Sequence, residues 1–265
     1  MTDHLRIITW NIWFDPINII ERTHTIIKII KSEQPDFVCL QEVTCETLAL
    51  LRKQLRDYHL FEVFSKSGCG YGVCILSHNS KVVVIDELSH PYPYTMMNRQ
   101  LLHCRAFIKR FAFSVDILTT HLESCYQSKE IRSLQFETVK EQFNYETNAL
   151  IFLGDLNISH YEPLLNKIKA TPLQDAWTTL GCKEEHKWTC DGRTNPNLSG
   201  KWHFRFDRIY YLSNNSKSNS TNNSNNQRKL IPSQMKLLGK DKTSETIPNP
   251  PSDHYGVLVD FMVTD

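Results

Sequence analysis

Glycine is scarce here, with 9 in 265 residues, which excludes collagen-like and glycine-rich low-complexity chains. Long apolar runs are missing: none approaches the roughly 18 residues that cross a bilayer as a helix, so no membrane partner is expected. The opening Met-Thr-Asp-His-Leu-Arg enters a strand-like stretch at once, so no secretory signal is expected either. Charge of one sign is also missing. The 30 Lys and Arg stand against 29 Asp and Glu, a net charge of +1. A protein that coats duplex nucleic acid is far more basic, so any nucleic-acid contact here must be local. The eight cysteines (39, 45, 69, 74, 104, 125, 182 and 190) form no CxxC pair, and several lie inside apolar strands. They read as reduced thiols of a nuclear or cytosolic protein, not as zinc ligands. No P-loop, GxGxxG or GxSxG occurs, which removes the main support for NTPase, dinucleotide-binding and α/β-hydrolase activities.

What remains is an enzyme-sized chain, 40% hydrophobic and 22% charged, long enough to bury a core without disulfides or metal. Short apolar runs alternate with helical stretches. Strands are expected at Leu5–Ile12 and Asp36–Val43, and helices from Asp15–Pro16 to Pro35 and from Thr44 through Leu55. Antiparallel strands are expected at Tyr71–Leu76, Val82–Ile85, Leu101–Ile108 and Phe113–Thr120. Residues 127–146 and 160–170 look helical, while Ala149–Leu153, Phe206–Leu212 and Gly256–Val263 look like strands. The tract 213–226 holds only Asn, Ser, Thr and one Lys. It has no apolar surface to offset its ordering entropy and reads as a disordered loop that interrupts, without dividing, one domain spanning 1–265.

Four strands are apolar and end in polar groups: Ile7-Ile8-Thr9-Trp10-Asn11, Phe37-Val38-Cys39-Leu40-Gln41-Glu42, Asp116-Ile117-Leu118-Thr119-Thr120-His121 and Ile151-Phe152-Leu153-Gly154-Asp155-Leu156-Asn157. Ser252-Asp253-His254 precedes the last strand. Ligands of α/β proteins gather at one end of the strands, so these groups are expected to share a cleft. Carboxylates and carboxamides without thiols are hard oxygen ligands, suited to Mg²⁺ or Mn²⁺. A metal held by one or two carboxylates is the pattern of phosphoryl-group enzymes. Each element alone has a plainer explanation: Asn11 as a turn cap, Glu42 as a solvated carboxylate, His121 or His254 as a structural histidine. Their occurrence together, in one order, is the signal.

That series, TWN, LQE, THLES, GDLN and SDH, resembles the endonuclease/exonuclease/phosphatase superfamily with its DNase I-like fold, from Thr9 to His254. Four stretches further resemble the branch that hydrolyses 5′-phosphotyrosyl DNA. They are His121-Leu122-Glu123-Ser124 with Arg132 and Gln135; Met96-Met97 before Leu101-Leu102; Thr189-Cys190-Asp191 to Leu198; and Arg205-Phe206-Asp207-Arg208-Ile209. The resemblance implies a four-layer α/β sandwich of two mixed β-sheets packed face to face, with outer helices. It implies Glu42 as the main Mg²⁺ ligand, with Asp253 and Asn11 near the metal. Asp155 would orient and deprotonate the attacking water, and Asn157 would hold the phosphate or that water. His254, oriented by Asp207, and His121 would donate to phosphoryl oxygens.

The implied partner is a single-stranded 5′ DNA end carrying tyrosine or peptide, met by a monomer in the nucleus and also the cytoplasm. Tyr71, Ser124 and Phe206 would line its path. Tyr71 also suits a plain sheet-edge tyrosine. Three departures fall on the same path: Tyr126 and Ser159 replace arginines, and Cys190 replaces a tryptophan. Losing two guanidiniums weakens single-strand binding and its salt dependence; Arg99, Arg193 and Arg205 are the candidates to compensate. A sibling with the same core and another substrate (an abasic-site endonuclease, a deadenylase or a lipid phosphodiesterase) is the alternative. A non-catalytic binding module is the other, disfavoured because Glu42, Asp155, Asn157, Asp253 and His254 are all retained.

Overall fold

The computed structural model describes residues 4–64, 68, 70–143, 149–213 and 229–264. Its central strands are apolar on both faces. In β1 (His4–Asn11), Leu5 and Ile7 point into one core and Ile8 and Trp10 into another. A strand patterned this way must be covered on both sides. β2 (Phe37–Thr44) repeats the pattern, with Phe37 and Cys39 on one side and Val38 and Leu40 on the other.

The first sheet joins these two to β3 (Tyr58–Glu62), β4 (Tyr71–His78), β13 (Lys229–Leu238) and β14 (Gly256–Thr264), in the order β13-β14-β1-β2-β4-β3. The second contains β5 (Val82–Pro91), β6 (Gln100–Ile108), β7 (Phe113–His121), β8 (Ala149–Asp155), β9 (Gln174–Asp175) and β12 (Asp207–Ser213), in the order β5-β6-β7-β8-β12-β9. Two short strands, β10 (Cys190–Asp191) and β11 (His203–Phe204), form a separate ribbon. Inner faces of the two sheets share one core, in which Ile7, Phe37 and Val259 meet Ile117, Ile151 and Ile209. The outer face of the first sheet packs on α1 (Ile19–Glu33) and α2 (Cys45–Gln54) through Ile26, Ile30, Leu48 and Leu51. That of the second packs on α3 (Lys129–Glu141) and α4 (Leu164–Lys169) through Phe136, Val139, Leu164 and Ile168. A last short helix, α5 (Ala176–Thr179), follows β9. The four-layer sandwich is as expected.

Both sheets are mixed. Within each, one pair is parallel, β1 with β2 and β7 with β8, and the remaining pairs are antiparallel. Parallel neighbours need a crossover, which α1 and α3 supply. The same pairing sets the site. Parallel strands end side by side, so Asn11 lies beside Gln41–Glu42 and His121 pairs in register with Asp155. Antiparallel β12 begins there, with Asp207 opposite Asp155, and antiparallel β14 begins where β1 ends.

Some boundaries differ from expectation. Thr44 caps α2 as expected, in a reciprocal box with Thr47. Asp15 does not cap α1: its carboxylate accepts the Ile17 amide at 2.8 Å, and the helix begins at Ile19 after a left-handed Asn18. The helix expected over 127–146 runs Lys129–Glu141, and that over 160–170 runs Leu164–Lys169. Strands β3 and β13 lie outside the expected set; β13 contains Pro232 at a register shift on a sheet edge, where a missing amide is tolerated. Of the tract 213–226, Ser213 ends β12 and residues 214–226 lie outside the described residues.

Candidate active site

Asp155 is the centre of the cleft. It is buried, and its two oxygens accept Asn11 Nδ2 at 2.9 Å across the sandwich and the Asn157 amide at 3.0 Å, while His121 Nε2 on the adjacent strand lies 3.3 Å away. The turn after it is set by Gly154, whose φ of +141° and close approach to Thr120 leave no room for a Cβ. The left-handed Asn157 that follows donates to Leu122 O at 3.1 Å and Ser124 Oγ at 3.3 Å, tying the two loops together.

His121 is 2% exposed, and burial, then the charge of Arg99, push it down to about 3, against the opposing pull of Asp155. It is therefore neutral. Arg99 Nη1 can only donate, at 2.9 Å to His121 Nδ1, which assigns the imidazole proton to Nε2, facing Asp155. His254 is the opposite case. Burial works against its charged form, but Cys190, Asp207 and Asp155 outweigh it and push the ring well above the ordinary histidine value. Its Nδ1 lies 2.7 Å from Asp207 Oδ2, and its Nε2 3.9 Å from Asp155 Oδ2. One histidine is thus a neutral donor and the other a cation, both facing one carboxylate.

Beside this cluster sit Glu42 and Asp253, both half-buried. Burial, with the charge of Asp253, raises Glu42 to about 7, while hydrogen bonds from the Phe14 amide and Asn11 oppose the rise. Asp253 is raised as well, first by burial and then by Asp155 and Asp207, against His254. Among the described residues neither carboxylate forms an ion pair with lysine or arginine. Two desolvated carboxylates, both with raised proton affinity and with oxygen donors alone, fit a hard divalent cation. Asp155, Asp207 and His254 also bring ligand atoms within 4.8 Å of one another. Their hydrogen bonds already account for that closeness: a metal on His254 Nδ1 would displace the proton shared with Asp207. The oxygen-only pair is therefore the better cation position.

The loop carrying Asp253 and His254 is fixed by bonds that sequence patterns did not reveal. Ser252 Oγ donates to Asn11 O at 2.7 Å and accepts the His254 amide at 3.1 Å. Asn195 and Asn197 donate to Ser252 O at 2.9 and 3.1 Å. Arg22 spreads its guanidinium over the carbonyls of Ile12, Trp13, Asp15, Ile17 and Pro251, joining the loop after β1 to the loop before His254. Its density of carbonyl partners had no local sequence signal. Gln41, beneath the site, bridges Thr9 and Thr119 of opposite sheets.

The remaining expected residues are placed unevenly. Ser124 accepts from Arg99 and Asn157, inside the cluster. Tyr71 stacks on Phe14 at 4.6 Å with the Arg99 guanidinium 5.2 Å from its ring centroid, so it flanks the cleft. Cys190 is buried against His254, and Phe206 lies 6.3 Å from the His254 ring. Tyr126 is not in the cluster: it is 72% exposed, with Lys129 over its ring. Ser159 lies in a turn with Glu162, its amide donating to Glu162 Oε2 at 3.4 Å and its carbonyl accepting the Glu162 amide at 3.3 Å. Of the three arginines considered as compensation, Arg99 reaches the site. Arg193 is bound to Asp191, and Arg205 is bidentate to Asp175.

Two face-to-face mixed sheets, with strand ends converging on an Asp–His–Asn–carboxylate cleft, define a protein of the DNase I-like fold class. The chain belongs to the endonuclease/exonuclease/phosphatase family, whose model matches residues 8–254. It is 31% identical to tyrosyl-DNA phosphodiesterase 2 of Xenopus laevis, over 97% of this chain and 66% of that protein. The chain thus spans about two thirds of the length of that frog relative. A 5′-tyrosyl-DNA phosphodiesterase of Caenorhabditis elegans is 31% identical over 77% of this chain and 57% of that protein. The crystal structure of D. rerio TDP2 with single-strand DNA product superposes with a TM-score of 0.86 at 27% identity, covering 98% of this chain and 99% of that one.

Proposed function

We propose that the protein is a Mg²⁺-dependent phosphodiesterase that hydrolyses 5′-phosphotyrosyl DNA, releasing 5′-phosphate DNA and free tyrosine. The observation that carries this is the convergence of donors from both sheets on Asp155 beside the Glu42–Asp253 pair. The similarity to proteins named for the same linkage supports the substrate. Glu42 and Asp253 are the residues to hold the cation, which, when bound, polarises a phosphoryl oxygen and offsets developing charge.

Each protein group then has one task. Asp155, held by Asn11 and the Asn157 amide and faced by His121 Nε2, orients the attacking water and takes its proton. The water oxygen forms the new bond to phosphorus as the tyrosyl oxygen leaves in line. Cationic His254, fixed by Asp207, donates toward the phosphoryl oxygens where charge accumulates. His121, neutral with its proton on Nε2 and 3.3 Å from Asp155, donates to the phosphoryl oxygens. Asn157 and Ser124 shape the phosphate-side loop. A phenol with pKa about 10 leaves with less protonic help than a sugar hydroxyl, so no separate general acid is required. Tyr71 and Phe206 line the path of the strand. The enzyme works as a monomer in the nucleus, in repair of topoisomerase-linked breaks.

The test offers full-length protein a 5′-phosphotyrosyl oligonucleotide, an abasic duplex, poly(A) and sphingomyelin, each with Mg²⁺, Mn²⁺ or EDTA. Turnover of the first, abolished by EDTA and by Asp155→Asn or Glu42→Gln, is expected. Turnover of another substrate in its place would overturn the substrate and identify the sibling activity.

A further inference from the structure

On the outer face of the second sheet lies a cavity of about 450 Å³ bounded by α4, β9, α5 and β12. It is separate from the cleft: β12 alternates, so Asp207 faces His254 while Arg208 faces the cavity. Lys169, Lys187, Arg205 and Arg208 line it, and among the described lining residues Asp175 is the one carboxylate. Arg205 takes both oxygens of Asp175, at 2.9 and 2.6 Å. Arg208 is 4% exposed and reaches the same carboxylate only at 3.7 Å. Its other contacts are neutral: the Ile158 carbonyl at 3.5 Å and the Tyr210 side chain. Its Nε has no hydrogen-bond partner. Lys187, at the mouth, meets Glu184 on its solvent side.

Two buried guanidiniums sharing one carboxylate leave a net positive charge out of water, which is costly unless an anion completes it. The field reaches His160 at the rim, which is pushed down first by burial and then by Arg208, Lys187, Arg205 and His203, with no acidic group opposing. The half-buried ring of Trp177 forms one wall, already carrying Arg205 at 4.5 Å. The volume is in the range of small-ligand sites.

We propose that this cavity binds a nucleotide-type phosphate, seated on Arg208 with Lys187 closing over it and the rest of the ligand against Trp177. The phosphate can come from a free mononucleotide or from within a strand, and the site is distinct from the catalytic cleft.

Calorimetry and thermal shift on the full chain in EDTA test this with inorganic phosphate, thymidine 5′-monophosphate, a short 5′-hydroxyl oligothymidylate, and thymidine as the uncharged control. At least one phosphate-bearing probe is expected to bind and raise Tm, with thymidine silent; the monophosphate or the oligonucleotide binding alone identifies the source. Arg208→Gln is expected to weaken binding at least about tenfold, the usual effect of losing a charge-assisted hydrogen bond. It should fold, because it removes an uncompensated charge. Lys187→Glu provides the same reading at the rim should Arg208→Gln not fold. Glu42→Gln is expected to bind normally. No response to any phosphate probe would overturn the proposal. So would thymidine binding equally well, or affinity that falls with Glu42→Gln and survives Arg208→Gln or Lys187→Glu.

Discussion

His121 makes a pH-dependent contribution to stability whose sign and size follow from its surroundings. In the unfolded chain it takes a proton at about pH 6.5. In the fold, burial and Arg99 push it down to about 3. The unfolded state therefore binds the extra proton between those values, so the stabilisation is fully present above pH 6.5 and is lost as pH falls. Linkage gives a loss of about 2 kcal/mol between pH 7 and pH 5 from this one residue. His121→Gln retains a donor where Nε2 faces Asp155 and does not titrate. Urea denaturation in EDTA at pH 7 and pH 5 compares the two proteins: wild type should lose about 2 kcal/mol more than the variant. Arg99→Met removes the nearby cation, makes protonation of His121 easier, and should shrink the wild-type pH loss. Equal losses in wild type and His121→Gln would refute the assignment of a neutral, buried His121.

Other perturbations probe the same frame. Arg132 is 1% exposed and bidentate to Glu162 at 2.8 Å while donating to the carbonyls of Glu123 and Cys125. Arg132→Met should cost about 3–5 kcal/mol by stranding a buried carboxylate, and adding Glu162→Leu should recover part of it; denaturation of the double variant at or below the single one would contradict this. Gly154→Ala should cost at least about 2 kcal/mol, because the new Cβ meets Thr120 O and the backbone lies at +141°; an unchanged denaturation midpoint would count against the turn geometry. Because Glu42 is raised to about 7 without metal, cation binding there must displace a proton. Mg²⁺ affinity measured by calorimetry should weaken by up to about tenfold per pH unit below 7, and affinity constant from pH 7.5 to 5.5 would remove Glu42 from the cation site.

The strand endings were legible because a strand buried on both faces is apolar throughout, so a switch to Asn, Glu, His or Asp marks where it leaves the core. Pairing then did the rest, since parallel neighbours end together. The start of α1 lies later than its capping sequence implies, for a local reason. Asp15-Pro16 is a sound capping sequence, but Arg22 engages the carbonyls of residues 12, 13, 15 and 17 and holds that stretch as a loop beside Glu42. Such a bond comes from a side chain on the helix reaching back, and no short-range pattern encodes it. Strand β13 was hidden by Pro232, Gln234 and Lys236, residues that suit a sheet edge and look unlike a core strand. Arg99 could be nominated but not chosen, because only the fold brings the loop before β6 over His121.

Because Asn11 lies on one sheet and Asp155 on the other, the 2.9 Å bond between them exists only when the sheets are docked. Beneath it, Gln41 spans Thr9 and Thr119 in the same way. These polar contacts interrupt an otherwise apolar interface, where Ile7, Cys39 and Leu153 continue the packing. A residue of the shared core far from the cleft therefore affects the geometry at Asp155 through the separation of the sheets. A small cavity there should lower turnover beyond what its stability cost predicts, since sub-ångström displacement between the sheets lengthens the bond that orients the water. The cleft and the core between the sheets are in that sense one structure, with the apolar runs setting the separation across which the polar strand ends meet.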